Sequence, residues 1–216
     1  MKITVMAGTP IDTKFGEDLL RENGITDIIP IAISENPTEQ TLFQTKDKKE
    51  KEKIISQHIN NVKKDSSNII FVYCNSLSAS VDFDYLAEVH DVTIIRPLDI
   101  YKELAKNYNK VAMLAANAQG LAGIEKVIVE SNPNLQTIGI TLLEMVKAIE
   151  DKEDPEKIAD DFNFKELLAY IEANNVDVII LGCTHFPYIE KIMSTYTDVE
   201  ILNPAMKMID KIKERI

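Results

Sequence analysis

A chain of 216 residues is long enough for one large domain or two small ones. Hydrophobic residues make up 45% of it and charged residues 27%, proportions that exclude wholesale disorder, collagen-like repeats and coiled coil. A net charge of −11 opposes contact with phosphate backbones and anionic lipid, so neither nucleic acid nor a membrane is an expected partner.

The first strand candidate is Ile3 to Ala7, followed by a helix over Lys14 to Asn23 with Thr13 as its N-cap and Gly24 as its stop. Ile28 to Ile33 reads as a second strand. A helix over Glu50 to Lys64 puts Ile54, Ile55, His58, Ile59 and Val62 on one stripe. Asn68 to Tyr73 is a strand, Val81 to Val89 a helix, Val92 to Ile95 a strand and Ile100 to Asn107 a helix. Lys110 to Ala115 then forms a strand, Gly123 to Glu130 a helix and Thr137 to Ile140 a strand. Pro155 opens a long helical stretch to Asn174 that Asn163 divides. Asp177 to Leu181 is a strand, Tyr188 to Tyr196 a helix, Glu200 to Leu202 a weak strand and Ala205 to Ile216 a final helix.

Ile69-Ile70-Phe71-Val72-Tyr73 and Val178-Ile179-Ile180-Leu181 are apolar without alternation, as strands covered on both faces of a parallel sheet are. Strands alternating with helices imply βαβ units. The pattern restarts near Val92 to Pro97, so the expected architecture is α/β with two parallel-sheet lobes. Residues 1–94 with 205–216 make the first and 95–204 the second. The mixed-sign run Lys46 to Lys53 reads as a solvated helix face. No apolar run reaches the roughly 18 residues of a membrane span, and the apolar start at Met1 to Gly8 stops short of a signal peptide. A cytoplasmic location follows as the expectation.

Ligands of such sheets sit beyond the C-terminal strand ends. The first strand leads into Gly8-Thr9-Pro10-Ile11-Asp12-Thr13. Cys74 follows the third strand and precedes Asn75-Ser76-Leu77-Ser78-Ala79, and Cys183 precedes Thr184-His185-Phe186-Pro187. Both cysteines thus stand at the same structural place, between a buried strand and a polar turn. Cysteine is often a small buried hydrophobe, a reading that suits one isolated thiol better than two crowded by Asn, Ser, Thr and His. A helix N-terminus lowers a thiol pKa from about 8.5, and the same amides bind a carboxylate. Two activatable thiols around an anion-binding crevice suit proton abstraction from one face of a carbon and reprotonation from the other. A metal site on Cys183, His185 and Cys74 lacks the paired ligand spacing of structural zinc. A disulfide oxidoreductase would want C-x-x-C, which is absent, and a reducing compartment disfavours a disulfide between the two.

Leu181-Gly182-Cys183-Thr184-His185-Phe186-Pro187 resembles the second catalytic motif of the glutamate racemases, and Cys74-Asn75-Ser76-Leu77-Ser78-Ala79 resembles the first. Ile11 to Gly16 is similar to the N-terminal aspartate-serine-glycine segment, and Thr141-Leu142-Leu143-Glu144 to a proline-leucine-valine-glutamate stretch. The four occur in the family's order across nearly the whole chain.

The resemblance is to the aspartate/glutamate racemase superfamily. It implies two flavodoxin-like lobes with the substrate crevice between them, and neither pyridoxal phosphate nor a metal. It makes Cys74 the base toward the D-enantiomer, assisted by Asp12, and Cys183 the base toward the L-enantiomer. His185, oriented by Glu144, would assist Cys183. Thr13, Asn75, Ser76 and Thr184 would hold the substrate's amino and carboxylate groups. Asp12 before Thr13 also reads as an ordinary helix start, and His58 and His90 lie on helical patterns without a partner motif.

The family's proline-tyrosine-glycine motif after the second strand is missing from Glu35 to Thr45, which bears on the substrate side chain more than on the reaction. The implied activity is racemisation of an acidic amino acid, glutamate before aspartate, since His185-Phe186-Pro187 is glutamate-like. Alternatives are another racemase or epimerase of the superfamily, or a binding protein of the same fold that does no chemistry. The expected partner is the small-molecule amino acid. A homodimer is one option for assembly.

Overall fold

The computed structural model describes residues 2–216. Strands β1 (Ile3–Ala7), β2 (Ile28–Ala32), β3 (Ile69–Val72) and β4 (Thr93–Ile95) form a parallel sheet in the order β2-β1-β3-β4. Strands β5 (Lys110–Ala115), β6 (Gln136–Thr141), β7 (Val178–Gly182) and β8 (Glu200–Leu202) form a second parallel sheet in the matching order β6-β5-β7-β8. All eight expected strands are present, and the fold is α/β with two flavodoxin-like lobes.

The first lobe carries helices α1 (Pro10–Glu22), α2 (Pro37–Thr45), α3 (Lys48–Lys64), α4 (Asn75–Ser80) and α5 (Phe83–His90). Helix α6 (Pro97–Leu104) follows β4 and leads to α7 (Ala118–Ser131), α8 (Leu143–Glu150), α9 (Pro155–Asp161) and α10 (Phe164–Ala173). The chain closes with α11 (Glu190–Met193) and α12 (Ala205–Lys213). Strand β4 runs one residue beyond the expected lobe boundary, and α12 packs on α6 and β4. Asn163, with φ 52°, separates α9 from α10 as the sequence predicts. No helix among the described residues is long and apolar enough to cross a membrane.

Helix α1 begins four residues before the expected start. Thr9, not Thr13, is its N-cap, accepting the Asp12 N–H at 3.2 Å. Pro10 then fills the first helical position, where a missing N–H costs nothing and φ is already set. That earlier start turns Asp12 from a capping residue into a buried one.

Strand β5 divides two cores. Val111, Met113 and Ala115 join the first lobe's cluster of Val5, Phe71 and Val72, while Ala112 and Leu114 join Met145, Phe164, Leu168 and Phe186 on the other face. Each of the valine, leucine, methionine and phenylalanine side chains among them contributes about 1.5–3 kcal/mol by leaving water. The lobes meet where α4 crosses α7: a Cβ on Gly123 would collide with the Cβ of Ala79. Only glycine allows that approach, and it holds the turn after Cys74 against the second lobe.

Candidate active site

The C-terminal ends of β1, β3, β5 and β7 converge on one cavity of about 410 Å³, its mouth included. Its walls include Gly8, Thr9 and Asp12 from the first strand end, Cys74, Asn75 and Ser76 from the third, and Gly182, Cys183, Thr184 and His185 from the seventh. Parallel pairing puts these turns at one level, with Met6 opposite Val72 in one sheet and Leu114 opposite Leu181 in the other.

Around Cys183 the polar side chains form a chain. The sulfur lies 3.6 Å from His185 Nδ1, and His185 Nε2 lies 2.9 Å from Glu150 Oε1. Thr9 Oγ1 donates to the same carboxylate oxygen at 2.6 Å. Phe15 meets the imidazole edge-on at 5.7 Å. Burial by itself would drive the His185 pKa down, but the Asp12 charge, then Cys183 and Glu150, outweigh it and hold the pKa well above the ordinary value. Burial likewise acts to raise Glu150, and the bonds from His185 and Thr9 prevail, leaving it below the usual carboxylate range. Both shifts favour the charged forms, imidazolium and carboxylate.

Cys74 has the opposite surroundings. Its sulfur lies 3.5 Å from Ser76 Oγ. Burial and then the Asp12 charge push the thiol well above its ordinary pKa, against weaker opposition from Ser76 and the Leu77 N–H. The expected effect of a helix N-terminus is therefore reversed at this sulfur: α4 is a single short element of six residues, and desolvation beside a carboxylate outweighs its amides. Cys74 holds its proton.

Asp12 stands between the two systems. Its Oδ1 accepts from Thr184 Oγ1 at 2.5 Å and lies 3.8 Å from His185 Nδ1, and its Oδ2 accepts from the Gly8 N–H at 3.2 Å. Burial raises its pKa in spite of His185, Thr184 and Gly8. One buried carboxylate thus acts on both thiol turns.

No protein-family model matches the chain. Glutamate racemase from Fusobacterium nucleatum subsp. nucleatum is 25% identical over 177 residues, which cover 77% of this chain and 63% of the relative. Glutamate racemase from Latilactobacillus sakei is 23% identical over 150 residues, 67% of this chain and 54% of the relative. The matched region therefore spans between about half and two thirds of these curated relatives. A glutamate racemase isoform from Bacillus anthracis superposes with a TM-score of 0.78 over 99% of this chain and 80% of that one, at 18% identity. The Francisella tularensis glutamate racemase crystallised with D-glutamate does so with a TM-score of 0.73 over the same shares, at 20% identity.

The chain is similar to glutamate racemases in sequence and to their structures in fold.

Of the residues singled out in this glutamate-racemase-like sequence, Cys74, Cys183, Asp12, His185, Asn75, Ser76 and Thr184 all line the one cavity. Two do not. Thr13 lies a turn inside α1 and spends its hydroxyl on the Thr9 carbonyl at 2.8 Å, because the helix starts earlier than expected. Glu144 points to solvent and pairs with Lys147 at 2.7 Å; the carboxylate on His185 is Glu150, at the far end of α8. The two are six residues apart, so they face different sides of that helix. Sequence reasoning also missed Thr9, Gln40, Gln44 and Asn117. Thr9 was signalled by the threonine-proline pair that starts helices, and Asn117 by its place directly after a buried strand, where it caps α7. His58 and His90 lie away from the cavity, and His90 Nε2 pairs with Ser56 at 2.9 Å.

Proposed function

We propose that the chain racemises an acidic amino acid, glutamate before aspartate, by moving a proton between two thiols on opposite faces of the substrate carbon. The observation that carries this reading is that the molecule's two cysteines share one cavity, Cys74 beside Ser76 and Cys183 beside the His185 imidazole. Racemisation needs one sulfur to take the Cα proton and the other, already protonated, to deliver one. Cys74, kept protonated by burial and by Asp12, supplies the donor. Cys183, 3.6 Å from His185 Nδ1, supplies the base. In the L-to-D direction Cys183 accepts the Cα proton of the L-enantiomer, and Cys74 gives its proton to the opposite face. One proton is taken and one returned, so the product leaves the enzyme with its thiol and thiolate exchanged. A return of the proton between sulfurs, through the Asp12–His185 network or water, resets it.

Thr184, Ser76 and Asn75 border the space between the sulfurs and offer hydroxyl and amide groups to the amino and carboxylate groups of the substrate. A binding protein without catalysis would need neither thiol, and nothing in the cavity favours it over the racemase. Proton NMR in D₂O tests the proposal directly. The purified chain is expected to erase the Cα proton signal of glutamate. Exchange with aspartate alone would move the substrate; exchange with neither would overturn the reading.

A further inference from the structure

Helix α2 forms the wall of the cavity between β1 and the second lobe, and it carries two buried glutamines one turn apart whose engagements differ. Gln44 is fully used: its Nε2 donates to Ser76 Oγ at 2.8 Å, and its Oε1 accepts from Asn117 Nδ2 at 3.0 Å. Gln40 is half used. Its Oε1 accepts from the Ser34 hydroxyl at 3.0 Å, which fixes the amide so that the NH₂ end faces the other way. That Nε2 has no hydrogen-bond partner among the described residues, in a side chain only 5% exposed.

Asn75 repeats the pattern. The Tyr101 hydroxyl donates to its Oδ1 at 2.9 Å, and its Nδ2 is left buried without a partner. Both amides line the cavity that holds the thiols, and no lysine or arginine is among its lining residues. The position a Cβ would take on Gly8 is 3.1 Å from Gln40 Cδ and 3.2 Å from Cys74 Sγ, which puts the Gln40 amide next to the reacting sulfur. A buried donor left empty costs about 1–3 kcal/mol, and two such donors, on residues that line one cavity and each with a hydroxyl bonded to the other end of its amide, are matched by an acceptor that arrives with a ligand. A carboxylate offers two oxygens with about four lone-pair sites and no proton of its own.

We propose that Gln40 is a substrate-contact residue, its Nε2 donating to a carboxylate oxygen of the bound amino acid opposite Asn75 Nδ2. This rests on the racemase reading and adds to it. The stretch from Glu35 to Thr45, which lacks the expected motif, binds substrate through a side chain on a helix. The clamp is neutral, so it accepts an acidic substrate and offers nothing to a cationic side chain.

The test compares the wild-type chain with Gln40→Met, which keeps the volume without the donor, and Gln40→Glu, which sets a carboxylate against a carboxylate. Steady-state racemisation of glutamate and calorimetric titration with the racemic mixture are read for all three. Gln40→Met is expected to raise KM and the dissociation constant about tenfold with kcat within about threefold, as loss of uniform binding does. Gln40→Glu is expected to raise KM further. The melting temperature of Gln40→Met should change little, because relief of the unpaired buried donor offsets loss of the acceptor for Ser34; a purely structural glutamine would lower it without moving KM. An active wild type whose KM is indifferent to Gln40→Met, or a Gln40→Met that loses stability while binding normally, overturns the clamp alone. A wild type that neither turns over nor binds either acidic amino acid overturns the racemase reading and this inference together.

Discussion

The turns after β3 and β7 are topological equivalents, each at the end of the third strand of a parallel sheet with the same order, and each presents a cysteine to the same cavity. Their surroundings differ in sign. Cys74 sits in a neutral, desolvated turn beside a carboxylate, whereas Cys183 sits beside an imidazole held cationic by Asp12 and Glu150. The backbone repeat thus supplies symmetry of position, and a few side chains supply asymmetry of charge. A two-base proton transfer requires both, since identical environments would leave two thiols or two thiolates facing one carbon.

The most severe way to break that pairing is to remove either sulfur. Cys74→Ser and Cys183→Ser are each expected to lower racemisation by about 10²–10⁴-fold or more, the range for a positioned acid or base. The double replacement should add little to either single one, because groups acting as a unit are not additive. The asymmetry predicts a further split in D₂O. With L-glutamate, Cys74→Ser should still exchange the Cα proton slowly without inverting it, because Cys183 is intact. With D-glutamate, Cys183→Ser should be the variant that exchanges. Undiminished racemisation in either variant, followed by polarimetry, would reduce that sulfur to core filling.

The next effect is on stability and again separates the turns. Cys74 is preceded by the bulky, buried Tyr73, whereas Cys183 is preceded by Gly182. A Cβ on Gly182 would lie 2.7 Å from the Leu114 carbonyl oxygen and 2.5 Å from Ile124 Cδ1, so backbone would have to move. Gly182→Ala is expected to cost about 1–3 kcal/mol, the usual range for overpacking, and to lower activity with it. Thermal unfolding checks this. An unchanged melting temperature would mean that β5 and β7 yield easily at the point where Cys183 is positioned.

Much of this arrangement is legible in the sequence, and the helices that are not share a physical cause. The strands were readable because apolar runs without alternation have few other uses, and both thiol turns because polar residues crowd directly behind them. Helix α2 was invisible. Of its two apolar residues, Leu42 is 61% exposed and only Phe43 is buried, while Gln40 and Gln44 take the buried positions. A helix that turns polar side chains inward inverts the pattern by which helices are recognised. Helix α4 is short and buries Asn75, Ser76 and Ser78, which hides it in the same way. The Glu144 expectation failed for a different reason: α8 presents acids at both ends, and only its rotation about the axis decides which one meets His185.

That rotation gives the smallest and sharpest of the expected effects, a contrast between two glutamates on one helix. Glu150 accepts from His185 and Thr9 inside the site, so Glu150→Gln removes one of the charges that raise the His185 pKa. Loss of a charge-assisted bond of this kind is worth about 1.5–3 kcal/mol at most, and a fall in kcat/KM of about tenfold is expected. The pH profile carries the sign. With His185 held well above its ordinary value, the wild type should show no break near about pH 6.5, where an unperturbed imidazole titrates. Its loss of activity should come only in the alkaline range. In Glu150→Gln that alkaline limb should move to lower pH. The same group contributes to folding. A folded pKa above the unfolded one gives stability that is fully present below about pH 6.5 and declines as pH rises through the folded value. The difference in melting temperature between wild type and Glu150→Gln should therefore be larger at pH 6 than at high pH. Glu144→Gln touches only Lys147 at the surface, where an exposed pair is worth about 0–1 kcal/mol, and should leave the rate, the profile and the melting curve unchanged. If Glu144→Gln instead shifted the alkaline limb while Glu150→Gln did not, α8 would sit with its other face toward His185, and the charge contrast between the two thiol turns would have to be redrawn.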